Sequence, residues 1–184
     1  MDRDLVERAM RGDHEAFAVL AKASVDRLFN VARLILRDHN RAEDVTQEAL
    51  VAAWHDLPAL RDPDRFEAWL HRLLVRSCYR EARRYRRLQE MEIQELAVEG
   101  AEPDRSLLLA DRDVLERGFR HLDPDQRAVL VLHHYVGFPL AEIADVLGVP
   151  LGTVKSRLFR ATQAMRSALA ADASSTRLTE RRIG

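Results

Sequence analysis

FPLAEIADVLGVPLGTVKSRLFRATQAMR, residues 138–166, decides the fold. Leu140, Ile143, Ala144 and Leu147 recur at helical spacing, and Gly148 then offers a left-handed stop. After Val149-Pro150-Leu151-Gly152, Thr153 can cap a second helix whose apolar stripe is Val154, Leu158, Ala161, Met165 and Leu169. The opposite face carries Lys155, Ser156, Phe159, Arg160 and Gln163, with no carboxylate from Thr153 to Ala171. An ordinary hairpin with wetted cations shares that period. An aromatic among charges of one sign, after a glycine-containing turn, points instead to a helix-turn-helix with its second helix in a DNA major groove.

Working outward, the chain has 184 residues, 47% hydrophobic and 32% charged, enough for one or two small cores under charged helical surface. Glycine and proline are scarce and no alternating stretch is long enough for a strand, so an all-α fold is expected. The formal net charge of −1 decides nothing, but its distribution does. Arg65–Arg87 holds eight arginines against two glutamates, and Leu88–Asp125 holds eleven carboxylates against four arginines. Two basic blocks flanking an acidic one suggest two contacts with a polyanion, joined by a segment that avoids it. Cys78 is the single cysteine, which excludes an internal disulfide and a multi-cysteine zinc site. His133 and His134 lack the spacing of a zinc pair on one helical face, so no metal or cofactor is expected. The Met-Asp-Arg start has no apolar signal stretch and no run of about 18 apolar residues follows, so a cytoplasmic protein is expected.

Taken in order, Asp4–Arg11 forms a short helix ended by Gly12, and Asp13 caps a longer one in which Phe17, Leu20, Leu28, Val31 and Ile35 keep register. Asn40 with Glu43 fits a capping pattern for a helix over about Arg41–Leu57. Val45, Ala49, Ala52 and Ala53 pack inward on it, while Asp44, Gln47, Glu48 and Val51 face outward with Leu50 and Trp54 at the edge. Such apolar edges beside carboxylates suit a protein-docking surface. Pro58–Arg65 is a loop. In Phe66–Arg87, Phe66, Trp69, Leu70 and Leu73 bury one side, and Arg72, Arg76, Arg80, Arg83, Arg84 and Arg87 step along another with Tyr79 and Tyr85 nearby. Arginines can neutralise phosphates there while the aromatics stack on unpaired bases. Leu88–Arg105 reads as a flexible acidic linker, able to span about 60 Å when extended. Ser106–Leu122 resumes a helix, and Asp123-Pro124 caps and begins the next. The expected division is 1–88, a linker over 89–105, a helix-turn-helix domain over 106–171 and a frayed, disordered tail over 172–184.

Three segments in this order resemble an extracytoplasmic-function sigma factor, a minimal bacterial transcription initiation factor of the sigma-70 superfamily. They are Ala42–Ala49 (AEDVTQEA), Phe66–Leu70 (FEAWL) and Gly152–Ala161 (GTVKSRLFRA), and the likeness spans Leu5 to Ala170. The resemblance implies a protein without catalysis of its own that lends promoter specificity to core RNA polymerase. Asp44, Gln47, Glu48, Leu50, Val51 and Trp54 would bind the clamp helices of the β′ subunit. Arg61, Arg65, Phe66, Trp69, Arg72, Arg76, Tyr79, Arg80, Arg83 and Arg84 would read and open the minus-ten element. The second domain would dock on the β flap and set Thr153, Lys155, Ser156, Arg157, Phe159 and Arg160 in the minus-thirty-five element. The acidic linker would thread polymerase channels that otherwise hold nucleic acid. An anti-sigma factor covering the docking faces, a monomeric free state and no small-molecule substrate also follow.

One departure stands out. Many members of that family carry Asn, or Asn and Asp, where this chain has Arg76 and Arg80. Arginine holds phosphates but cannot reproduce an amide's paired donor and acceptor, so base preference at that box does not carry over. The residues by themselves leave two rivals, a dimeric helix-turn-helix regulator acting without polymerase and a helical nuclease. No heptad seam supports the first, and no paired carboxylates, metal-ligand cluster or nucleophile–base set supports the second.

Overall fold

Aspartate starts most of the helices. In the computed structural model, which describes residues 2–95 and 118–183, every regular element is helical. Helices α1 (Arg3–Met10), α2 (His14–Leu36) and α3 (His39–Asp56) begin behind Asp2, Asp13 and Asp38, whose carboxylates accept from backbone N–H groups of Asp4, Ala16 and Arg41. Each cap satisfies an otherwise orphaned donor and puts negative charge at the positive end of the helix dipole. Two single 3-10 turns, Leu57–Ala59 and Pro63–Arg65, carry the chain into α4 (Phe66–Glu95). Asp123 and Gln126 form a reciprocal capping box for α5 (Pro124–Leu130), which widens into one π turn, Val131–Val136. Helices α6 (Leu140–Leu147) and α7 (Leu151–Ile183) complete the hairpin, with Gly148 at φ 66° between them, as its position after the apolar stripe implied.

Several bounds differ from the sequence expectation. Asp38, not Asn40, caps α3, because Arg37 takes the left-handed conformation (φ 58°) and turns the chain in two residues. Thr153 does not cap α7, which has already begun at Leu151 behind Pro150. Helix α4 continues through Glu95, so 89–95 is helix rather than linker, and α7 runs through Ile183 where a disordered tail was expected. Both extensions lack glycine and proline, so neither holds a strong helix breaker. The rest of the expected linker, and 106–117 of the helix that follows it, lie outside the described residues. Residues 118–120 are helical.

Two helical domains result, α1–α4 and the helices from 118 onward, and they are packed on each other as well as tethered. One apolar cluster runs from Leu20, Leu28, Val45 and Leu74 of the first into Val129, Leu132, Ile143 and Val154 of the second. A smaller cluster of Leu122, Leu130 and Ala161 stays within the second. At the seam Phe138 meets the ring of His71 edge-on at 5.1 Å. Arg27 of α2 bridges Glu67 (2.5 Å) and the Val136 carbonyl (2.7 Å). Arg127 lies half-buried near Arg37 and Arg41, and burial first, then the Arg37 charge, draws its guanidinium down to about 10.

His71 is buried, and its Nδ1 donates to the Glu67 carbonyl at 2.8 Å, while Nε2 has no hydrogen-bond partner among the described residues. Burial holds its pKa below the ordinary 6.5, against the opposing pull of the Glu67 carbonyl. Folding therefore favours the neutral ring. The unfolded chain takes up a proton that the folded chain refuses as pH falls below about 6.5, so this contribution is complete above that pH and is lost below it. Denaturant unfolding at pH 7.5 and 5.5 is expected to show lower stability in acid, and His71→Leu is expected to flatten that difference. An unchanged pH dependence in the variant would contradict a neutral His71.

Candidate nucleic-acid interface

The third turn of α4 onward presents one continuous cationic face. Arg76, Arg80, Arg83, Arg84 and Arg87 line an open groove together with Leu88. Their spacing of three or four residues puts successive guanidinium groups on one side of the helix. The opposite side buries Leu70, Leu74, Val75 and Cys78. Burial pushes the Cys78 thiol up to about 12, so it is inert packing. Arg80 is paired with Glu48 of α3 and lies 3.1 Å from Ser77 Oγ. The outer face of α3 and the arginine face are thus joined by an ion pair. Pairs this exposed contribute about 0–1 kcal/mol, so a polyanion can displace the carboxylate.

Helix α7 carries the other cationic face. Lys155, Ser156 and Arg160 are exposed, and Phe159 keeps 65% of its surface in water. Ser156 Oγ donates to the Thr153 carbonyl, and Arg160 Nε donates back to the Ser156 carbonyl at 3.3 Å, which aligns both along the helix. On the face of α3 expected to dock, Asp44, Gln47, Glu48 and Val51 are exposed, with Val51 at 57%. Leu50 and Trp54 are half-buried, Trp54 against Phe17 (4.9 Å) and His14 (4.6 Å). Ala52, expected inward, is also only half-buried.

Three expected DNA residues are placed elsewhere. Phe66 is 2% exposed and belongs to the core beside Trp69, because its position at the head of α4 points it under the preceding turns. Tyr79 is largely buried, and burial with the charge of Asp125 pushes its phenol well above the ordinary value. Arg157 keeps 21% of its side chain exposed and pairs with Asp125 at 2.8 Å. Thr153 is half-buried on α7. Tyr85 also departs from the expected stacking role, lying 3.8 Å beneath the Arg41 guanidinium. Of the others, Arg61 is exposed, Trp69 and Arg72 are half-buried, and Arg65 pairs with Asp145 of α6 at 2.6 Å. Sequence reasoning missed Arg27, Glu67, Asp125 and Asp145, whose partners lie up to 109 residues away and leave no local signal. Among the described residues no group of acids, histidines or cysteines could hold a metal ion, and no helix is long and apolar enough to cross a membrane.

Comparison with known proteins matches residues 20–88 to the family described as sigma-70 region 2 and residues 112–165 to sigma-70, region 4. The RNA polymerase sigma-H factor of Pseudomonas aeruginosa is 31% identical over 183 residues, covering 91% of this chain and 93% of that protein. The ECF RNA polymerase sigma-E factor of Escherichia coli is also 31% identical, covering 89% and 92%. Among solved structures, the sigma factor RpoE in complex with the anti-sigma factor NepR from Bartonella quintana superposes with a TM-score of 0.67. It is 25% identical and covers 85% of this chain and 98% of that one.

Proposed function

The chain belongs to the extracytoplasmic-function RNA polymerase sigma factors and directs transcription initiation, and we propose that its helices divide that work as follows. Asp44, Gln47, Glu48 and Val51, flanked by Leu50 and Trp54, dock on the clamp helices of the polymerase β′ subunit. The arginine face of α4, with Arg61, Arg65, Trp69 and Arg72 at its head, holds the minus-ten strands as they part. Trapping an unstacked base offsets a cost of a few kcal/mol. Lys155, Ser156, Phe159 and Arg160 enter the major groove of the minus-thirty-five element while the same domain rests on the β flap. Phe66, Tyr79 and Arg157 support these faces from within. An anti-sigma factor controls the protein by covering the docking faces, and polymerase itself makes the cytoplasm its place of work. It acts as a monomer, without a cofactor or chemistry of its own.

One observation carries this reading. A single chain exposes two cationic helical faces of different make, an arginine stripe along α4 and a short Lys/Phe/Arg face on a helix-turn-helix. Run-off transcription with purified core polymerase on genomic fragments tests it, and defined start sites absent from core polymerase alone are expected. Arg160→Ala should weaken promoter binding by about 1–3 kcal/mol, roughly 5- to 150-fold, while core-polymerase binding stays intact. Equal loss of both would refute the division of labour.

A further inference from the structure

Where α3 and α5 meet, two buried guanidinium N–H groups have nothing to donate to. The Nε atoms of Arg41 and Arg127 are both shut off from solvent, and neither has a hydrogen-bond acceptor. Asp38 Oδ2 lies 3.0 Å from Arg41 Nε but off the line of its N–H, so it supplies charge without a hydrogen bond. A charged donor left unanswered in the interior is costly, and a folded protein rarely keeps one without a reason. Like charge crowds the same place. Arg37, at the end of α2, and Arg41, in the first turn of α3, both act on the Arg127 guanidinium and add to the effect of burial in disfavouring its charge. Arg41 is backed by the Tyr85 ring at 3.8 Å. The carboxylates beside the pair, Asp38 and Asp123, are already engaged. Oδ1 of each accepts a backbone N–H in the first turn of its own helix, from Arg41 (2.9 Å) and Gln126 (2.7 Å).

We propose that Arg41 and Arg127, with the exposed Arg37 at the rim, form a binding site for a small phosphate-bearing anion, of which inorganic phosphate and pyrophosphate are the simplest. Its oxygens accept from both Nε groups, and its multiple negative charge offsets the repulsion among the guanidinium groups. Chloride has no second oxygen to match the fork of a guanidinium, and a carboxylate brings a single charge to several cations, so phosphate suits the place best. Once bound, the anion bridges α3 of the first domain and α5 of the second through the ligand itself.

Titrating the full-length chain with phosphate and with pyrophosphate at constant ionic strength tests the site, read by thermal unfolding and by the arginine Nε–H resonances of an isotope-labelled sample. The parent is expected to melt roughly 5–10 °C higher at about a hundred times the dissociation constant. The Nε–H resonances of Arg41 and Arg127 should shift most. Arg127→Gln should abolish the rise, Arg41→Gln should reduce it by at least half, and Arg11→Gln, which removes an exposed arginine elsewhere, should keep it. Phosphate also stabilises proteins by its exclusion from their surface, and an equal rise in all four proteins would mean only that and overturn the site. No rise in the parent would overturn it as well. So would shifts at Arg41 and Arg127 that a single-stranded oligonucleotide produces and pyrophosphate does not. The phosphate and pyrophosphate titrations contain neither polymerase nor promoter, so their failure leaves the functional assignment standing.

Discussion

Replacing Arg76, Arg80, Arg83 and Arg84 together by alanine is expected to flatten the salt dependence of promoter binding by about three units of slope, at about 0.7 for each single-strand phosphate left without its arginine. At physiological salt the same variant should lose on the order of 100-fold in open-complex formation, equivalent to about 0.7 kcal/mol per arginine. The fold should tolerate the change. All four side chains are exposed on the solvent side of α4, the ion pair of Arg80 with Glu48 is exposed too, and Arg84 only reaches a half-buried Glu81 at 3.7 Å. Alanine also keeps the helix at least as well as arginine does. Titrating affinity against salt separates the two ways the variant could fail. A loss of affinity with an unchanged slope would mean that these arginines do not meet phosphate.

Leu74→Ala is expected to lower stability by about 2–5 kcal/mol, shifting the melting temperature by roughly 5–20 °C. Leu74 is 0% exposed on the buried face of α4, in the apolar cluster that reaches from α2 and α3 into the second domain. Removing its isobutyl group leaves a void that three packed helices cannot all close, which puts the cost well above that of transfer to water alone. Val51→Ala, at a position 57% exposed, serves as the control and should change stability by less than about 0.5 kcal/mol. Urea unfolding measures both. A Leu74 loss below that of the Val51 control would mean that the shared cluster does not hold the domains together.

Much of the geometry of the candidate faces was legible because it is written locally. Arginines three and four residues apart can only stand on one face of a helix, and a stripe from Val154 to Leu169 can only leave Phe159 outside. The misreadings fall where a residue has two plausible destinations. Phe66 and Tyr79 are aromatics next to arginines, which suits both a stacking platform and a core, and the core claimed Phe66 while Tyr79 packs against it. Arg157 sits one residue from the exposed Ser156, and the carboxylate of Asp125, absent from its own helix, draws it inward. Asp38 displaced Asn40 as a cap because Arg37 accepts a left-handed turn, which periodicity does not reveal.

By itself the sequence determined the helical class, the hairpin around Gly148 and the two cationic faces, since each depends on neighbours within about four residues, the reach of one helical turn. Only the tertiary structure decided which of those arginines are already answered by carboxylates and how the two domains meet. Arg65 with Asp145 and Arg27 with Val136 join residues 80 and 109 positions apart, and pairings of that separation come from the packing of whole helices rather than from any local pattern.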